Sequence, residues 1–234
     1  MFSIDYNFRY SDINKDGRIK ISTVLDLLQD VSIAHADFAG GLGSERLSKE
    51  KVAFLLDGWR VRFDKPFDKS KVVTVKTGIM RVRKCETVRK YEIWQNGECK
   101  VIGTAVWYSV NTEKRAIARL EEKFYLGFDN IAEEDNGFEY VSIRPEKTAE
   151  FCAVARVARR DIDTNHHMNN VKSVEFMLDF LPDGFEISQL QVKYRKELRE
   201  AEEVKIYGRQ TDDGYHLEIK NAEDKTCVIV KAIY

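Results

Sequence analysis

A chain of 234 residues with 43% hydrophobic content is long enough for one large domain or two small ones sharing an interface, and 38 Lys+Arg against 39 Asp+Glu leave a net charge of −1. No global field therefore draws it to nucleic acid or to an anionic membrane, and its uncharged apolar runs are only a few residues long, far short of a membrane span. Cys85, Cys99, Cys152 and Cys227 lie far apart, with no CxxC pair and no ligand spacing to histidine, so they read as reduced thiols rather than as a disulfide framework or a zinc site.

The opening MFSIDYNFRY has neither a basic nor an apolar leader region, and the chain reads as cytoplasmic. Residues 2–10 read as a strand. Ile21, Val24, Leu25, Leu28 and Val31 then recur at helical spacing and predict a helix over 21–36. Gly40, Gly41 and Gly43 break that pattern, and strands are predicted over 52–63, 71–82, 85–95 and 99–110. Between the last two stands Asn96-Gly97, a hairpin signal because both central positions of a type I′ turn need positive φ. The order then starts again, with a strand over 150–159 and a helix over 169–181 stopped by Pro182-Asp183-Gly184. Strands over 186–196, 202–210, 214–220 and 226–233 follow. A connector over 131–144, including the polar Glu133-Glu134-Asp135-Asn136-Gly137, divides an N-terminal half, 1–130, from a C-terminal half, 145–234.

The halves also repeat in residues. Asp12-Ile13-Asn14-Lys15-Asp16 aligns with Asp161-Ile162-Asp163-Thr164-Asn165, and without a gap Leu25, Leu28 and Asp30 fall on Val174, Met177 and Asp179. A long sheet wrapped on each helix would bury it on several sides, which suits the breadth of apolar residues in 21–31.

Chemistry concentrates in Asp161-Ile-Asp163-Thr-Asn165-His166-His167-Met168-Asn169-Asn170-Val171-Lys172. In an extended approach to a helix, alternate side chains share a side, so Asp163, Asn165 and His167 can converge. The helix that begins at once offers open first-turn amides, which favour the oxyanion formed when water attacks a thioester carbonyl. The alternative is a capped loop in which Asp163 and Asn165 satisfy backbone groups and His167 is incidental.

This segment resembles the helix-leading motif of the acyl-ACP thioesterase family of plants and bacteria, D-x-D-x-N-x-H-x-N-N-V-K, and matches it at every stated position. The likeness extends over nearly the whole chain, through the Trp59-Arg60 strand, the strands ending near Trp107, and Tyr194-Arg195-Lys196-Glu197. It implies a tandem (double) hotdog of the α+β class, each half a long antiparallel sheet around a central helix. The implied catalytic residues are Asp163, Asn165, His167 and Glu197, with the N-terminal half binding the acyl chain. The implied reaction is hydrolysis of fatty acyl thioesters of acyl carrier protein, with no cofactor and no metal. Leu198 stands where some plant members have Cys, which argues against a cysteine nucleophile, and His166 replaces a common Gln. Acyl carrier protein is the implied partner, a homodimer is left open, and an acyl-CoA thioesterase or a non-catalytic acyl-thioester sensor are the competing readings.

Strict alternation groups Glu197 with Lys193 and Arg195, away from the apolar Leu190, Val192 and Tyr194, so a bulge or strand end is needed to aim it at the site. The basic run Arg81, Arg83, Lys84, Arg89 and Lys90 reads first as a solvated strand face and second as a steering patch for an acidic carrier. Asp12 to Ile19 imitates the start of an EF-hand calcium loop, but Lys20 and Thr23 occupy its ninth and twelfth positions and a strand leads in, so calcium is rejected.

Overall fold

Residues 1–38, 49–119 and 137–234 are described by the structure, a computed structural model; the glycines at 40, 41 and 43 and most of the polar connector, 133–136, lie outside them. In chain order the elements are β1 (Phe2–Tyr6), α1 (Ile21–Phe38), β2 (Val52–Phe63), β3 (Val73–Arg83), β4 (Glu86–Gln95), β5 (Glu98–Asn111) and β6 (Ala116–Ile117). They continue with β7 (Glu150–Arg156), α2 (Asn170–Leu178), β8 (Gln189–Tyr194), β9 (Glu203–Thr211), β10 (Gly214–Asn221) and β11 (Thr226–Ile233). Asn96 and Gly97 join β4 to β5 with φ of 52° and 77°, the two positive values a type I′ turn requires.

Two compact units result: Met1–Asp57 with Phe63–Tyr140, and Gly58–Arg62 with Val141–Tyr234. In the first, strands run in the order β1-β3-β4-β5-β2, all the paired registers antiparallel, and α1 lies against β3 and β1. Leu25, Leu28 and Val31 of α1 are fully buried, as are Val73, Val75, Ile93 and Val101 of the sheet. In the second, the order is β8-β11-β10-β9-β7, with the middle of β2, Gly58–Arg62, paired antiparallel to β8. Here Val174 and Met177 of α2 are buried with Leu190, Val192, Val230 and Ile219. The positions aligned by the repeat, Leu25 with Val174 and Leu28 with Met177, are thus all at 0% exposure, as two copies of one helix-on-sheet design demand. Each unit is a hotdog, one helix against a long antiparallel sheet.

Two buried polar clusters stand out, and the first departs from the expectation of a solvated strand face. The basic run of β3 and β4 is not one solvated face: Arg89 and Lys90 are buried, while Arg81 is exposed and paired with Glu86. Arg89 Nη1 lies 3.1 Å from His35 Nδ1. Burial, and then the Arg89 charge, lower the His35 imidazole to about 4, so the ring is neutral and accepts this hydrogen bond. Beside it, Tyr91 Oη and Ser32 Oγ are 2.8 Å apart, and the Trp107 indole donates to Tyr91 Oη at 3.3 Å. In the second unit, His216 and Glu218 of β10 are buried on the sheet face opposite Leu217 and Ile219. Glu218 Oε1 accepts from His216 Nε2 at 2.9 Å and from the Glu146 amide at 2.6 Å, and Arg209 holds Glu146 Oε2 at 2.8 Å. The residues leading into β7 are thereby fastened across the back of the sheet.

Candidate active site

The loop carrying Asp163, Asn165 and His167 is shaped by its own side chains. A 3-10 turn over Arg159–Asp161 is closed by Asp161, whose Oδ2 accepts the Ala158 N–H at 3.0 Å. Ile162 and Met168 form an antiparallel bridge, and the Asp163 N–H reaches His167 O at 3.0 Å. His166 turns the tip with φ 63°, a left-handed conformation uncommon outside glycine. Asp163 Oδ1 accepts the Asn165 N–H at 2.8 Å, an Asx turn, and the same oxygen stands 3.7 Å from His167 Nδ1. The Asn165 side chain is exposed beside them.

The tautomer of His167 follows from its neighbour. Nδ1 is 3.3 Å from Met168 O, a carbonyl that can only accept, so Nδ1 carries the proton and Nε2 keeps a free lone pair. A general base needs that lone pair together with a nearby charge to stabilise the imidazolium it becomes. Asp163 supplies the charge.

Asn169 caps α2, its Oδ1 accepting the Val171 N–H at 2.8 Å and the Lys172 N–H at 3.2 Å. The open first-turn amides expected from the sequence are therefore mostly spent. Ser173 N–H bonds Asn169 O, and the Asn170 N–H is the first-turn donor left without a hydrogen bond. A single open first-turn donor thus remains, on the residue that begins the helix.

Glu197 stands apart. After β8 ends at Tyr194, the Arg195 and Lys196 amides both bond Cys227 O, at 2.8 and 3.2 Å, and two successive amides on one carbonyl break the alternation that grouped Glu197 with Lys193 and Arg195. The segment is tied to the loop on both sides of Glu197: the Tyr194 hydroxyl donates to Asn170 O at 2.9 Å, and the Met168 N–H to Leu198 O at 2.7 Å. Its carboxylate is exposed and lies 3.8 Å from the Arg199 guanidinium, with no ion pair to His167. The geometry thus brings together Asp163, the Asn165 backbone N–H and His167, and leaves Glu197 beside Arg199. Tyr194 and Asn169 were quoted within their motifs but given no role by sequence reasoning. Their signals, a cap residue before a helix and a tyrosine at a strand end, are too common to single out.

The first half builds the same loop with different chemistry. Arg9 N–H bonds Asp12 Oδ2 at 2.6 Å, Asn14 N–H bonds Arg18 O at 2.8 Å, Lys20 N–H bonds Asp12 O at 2.9 Å, Ile13 bridges Ile19, and Gly17 turns the tip with φ 76°. Each is the counterpart of a bond in the second loop. Asn14 Oδ1 is spent on the Asp16 and Arg18 amides at 3.1 and 2.9 Å, as befits a loop closure and not a calcium ligand. Where the second loop has Asp163, Asn165 and His167, this one has Asn14, Asp16 and Arg18.

The model of the acyl-ACP thioesterase N-terminal domain matches residues 1–128, and that of the acyl-ACP thioesterase C-terminal domain matches residues 145–233. A chloroplastic palmitoyl-acyl carrier protein thioesterase of Gossypium hirsutum is 25% identical over 215 residues, covering 84% of this chain and 52% of its own length. A chloroplastic dodecanoyl-[acyl-carrier-protein] hydrolase of Cinnamomum camphora is 24% identical over 223 residues, covering 84% and 56%. The chain spans about half the length of the curated relatives it matches. Among solved structures, an acyl-ACP thioesterase from Bacteroides thetaiotaomicron superposes with a TM-score of 0.91 at 19% identity, over 99% of this chain and 96% of that one. The 12:0-ACP thioesterase from Umbellularia californica gives 0.84 at 19% identity, with the same shares covered. These superpositions establish the double hotdog fold. With more than half of its residues under one family model and most of the remainder under the companion model, this chain belongs to the acyl-ACP thioesterase family.

Proposed function

We propose that the chain hydrolyses fatty acyl thioesters of acyl carrier protein, releasing the free fatty acid and the carrier thiol. The observation that carries this reading is the Asp163–His167 pair, with Nε2 free, set at the start of a helix whose Asn170 amide is open. The names of the relatives supply the substrate class. His167 Nε2 takes a proton from water as the water oxygen bonds the thioester carbon, and the oxygen left negative is received by the Asn170 N–H. Collapse breaks the C–S bond and the proton passes to sulfur; a thiol with a pKa of about 8.5 leaves without strong acid assistance. Asp163 steadies the imidazolium and closes the loop, Asn165 orients water or carbonyl, and Glu197 assists His167 after leaving Arg199.

In the same proposal the N-terminal half, 1–130, holds the acyl chain and the C-terminal half, 145–234, performs the chemistry, with 131–144 as connector. Free thiols at all four cysteines suit a reducing, cytoplasmic location. Among the described residues no helix is long and apolar enough to cross a membrane. Homodimerisation has its best support in β7, which ends its sheet with Phe151 and Val154 exposed; light scattering decides it. The central test is a panel of acyl-ACP and acyl-CoA substrates. His167→Ala should lower turnover about a hundredfold or more with the circular dichroism unchanged. Tight acyl-ligand binding without turnover in the unaltered protein would make it a sensor instead.

A further inference from the structure

We propose that Tyr194 is a positioning residue: its hydroxyl holds the first turn of α2 so that the Asn170 N–H meets the thioester oxygen. The proposal rests on the hydrolytic reading above and deepens it. The helix has only nine residues, Asn170–Leu178, and first turns of short helices fray. Here the first turn is held at its opening carbonyl. Asn170 O receives the Tyr194 hydroxyl at 2.9 Å and the Ser173 hydroxyl at 2.7 Å, while the peptide before it is fixed by Ser173 N–H on Asn169 O at 3.1 Å. The peptides on both sides of Asn170 are thereby fixed, the first of them carrying the open Asn170 N–H and the second the carbonyl that Tyr194 holds.

The phenol comes from a rigid source. β8 is paired on both edges, to β11 and to the Gly58–Arg62 segment, and its Leu190 and Val192 are fully buried. A donor aimed from such a strand varies little in position, which is what transition-state stabilisation by a fixed dipole requires. The first half shows that this hold is not a demand of the loop-and-helix design. Its loop repeats the Asp163–His167, Asn169–Asp161 and Ile162–Met168 backbone pairings as Asn14–Arg18, Lys20–Asp12 and Ile13–Ile19, yet among the described residues no side chain bonds the carbonyl of Ile21, the first residue of α1. The tyrosine hold occurs in the half that also carries the acid, amide and imidazole.

The test compares wild type with Tyr194→Phe, which removes only the hydroxyl. We expect kcat to fall about tenfold with KM within about twofold, the pattern of an interaction felt mainly in the transition state. A phosphonate analogue of the tetrahedral intermediate should bind about tenfold more weakly to the variant, and an acyl thioether, which lacks the carbonyl, equally well. An unchanged kcat, or losses of kcat, thioether affinity and melting temperature together, overturns the positioning role. A wild type that releases no fatty acid from any thioester overturns the hydrolytic reading and this proposal with it. Should Tyr194→Phe not fold, Ser173→Ala removes the other hydroxyl from the same carbonyl and must show the same split.

Discussion

Replacing Asp163 by Asn separates the two tasks of this carboxylate. One task is closing the loop, where Oδ1 accepts the Asn165 N–H at 2.8 Å. Asn14 does the same in the first half, on two amides at 3.1 and 2.9 Å, so an amide oxygen suffices. Asp163→Asn should therefore keep its melting temperature within about 2 °C of wild type, whereas Asp163→Ala loses about 1 kcal/mol with the acceptor. The other task is electrostatic. A full charge at 3.7 Å from an imidazolium, between side chains 16% and 20% exposed, stands between water and protein interior. At such a distance the attraction runs from about 1 kcal/mol in water to about 4 kcal/mol at a protein surface, and we take about 2 kcal/mol. Lost from the transition state, that is about thirtyfold in turnover. Single-turnover release of fatty acid from acyl-ACP, with thermal melts on the same samples, measures both tasks. Full turnover in Asp163→Asn, or melting as depressed as in Asp163→Ala, refutes the reasoning.

Three further outcomes follow from the same geometry. Asn165→Ala should lower kcat, whereas Arg18→Ala, at the matching place of His167, should change stability or chain preference while turnover persists; equal abolition in folded proteins would place a first-half residue in the site. Gly214 has φ 152°, and a Cβ there would lie 1.9 Å from Ala232 O, so Gly214→Ala should destabilise by about 2 kcal/mol or more, and an unchanged urea midpoint contradicts that. Burial pushes the Glu218 carboxyl up, but hydrogen bonds from His216 and the Glu146 amide outweigh it and hold the group below its ordinary value. Its stabilisation is therefore present above the unfolded pKa of about 4.3 and lost as pH falls through the folded value. Glu218→Gln should flatten the acid limb of urea stability between about pH 5 and about pH 3, and an acid limb as steep as wild type counts against this account.

Local rules sufficed wherever a residue's neighbours in sequence decide its conformation. Apolar spacing in Ile21–Val31 located α1, Asn96-Gly97 set the hairpin between β4 and β5, and the alignment of Asp12 with Asp161 announced two loops that prove bonded alike. The approach of Asp163 to His167 was legible for the same reason, since it is made by an Asx turn, a left-handed tip and a cap, all within a few residues. Alternation could not say where it would stop. The direction of Glu197 depends on Cys227, thirty residues on in the chain, whose carbonyl takes two successive amides and ends the pattern. Nor could alternation tell a solvated face from a covered one. Arg89 sits in a run that reads as a solvated face, and only packing reveals that it is buried against His35. Which backbone amide stays open for an oxyanion was likewise decided in three dimensions: the Asn169 cap is local, but the hold on Asn170 comes from Tyr194 across the fold, and no pattern of neighbouring residues encodes a hydrogen bond between a strand end and a distant helix start.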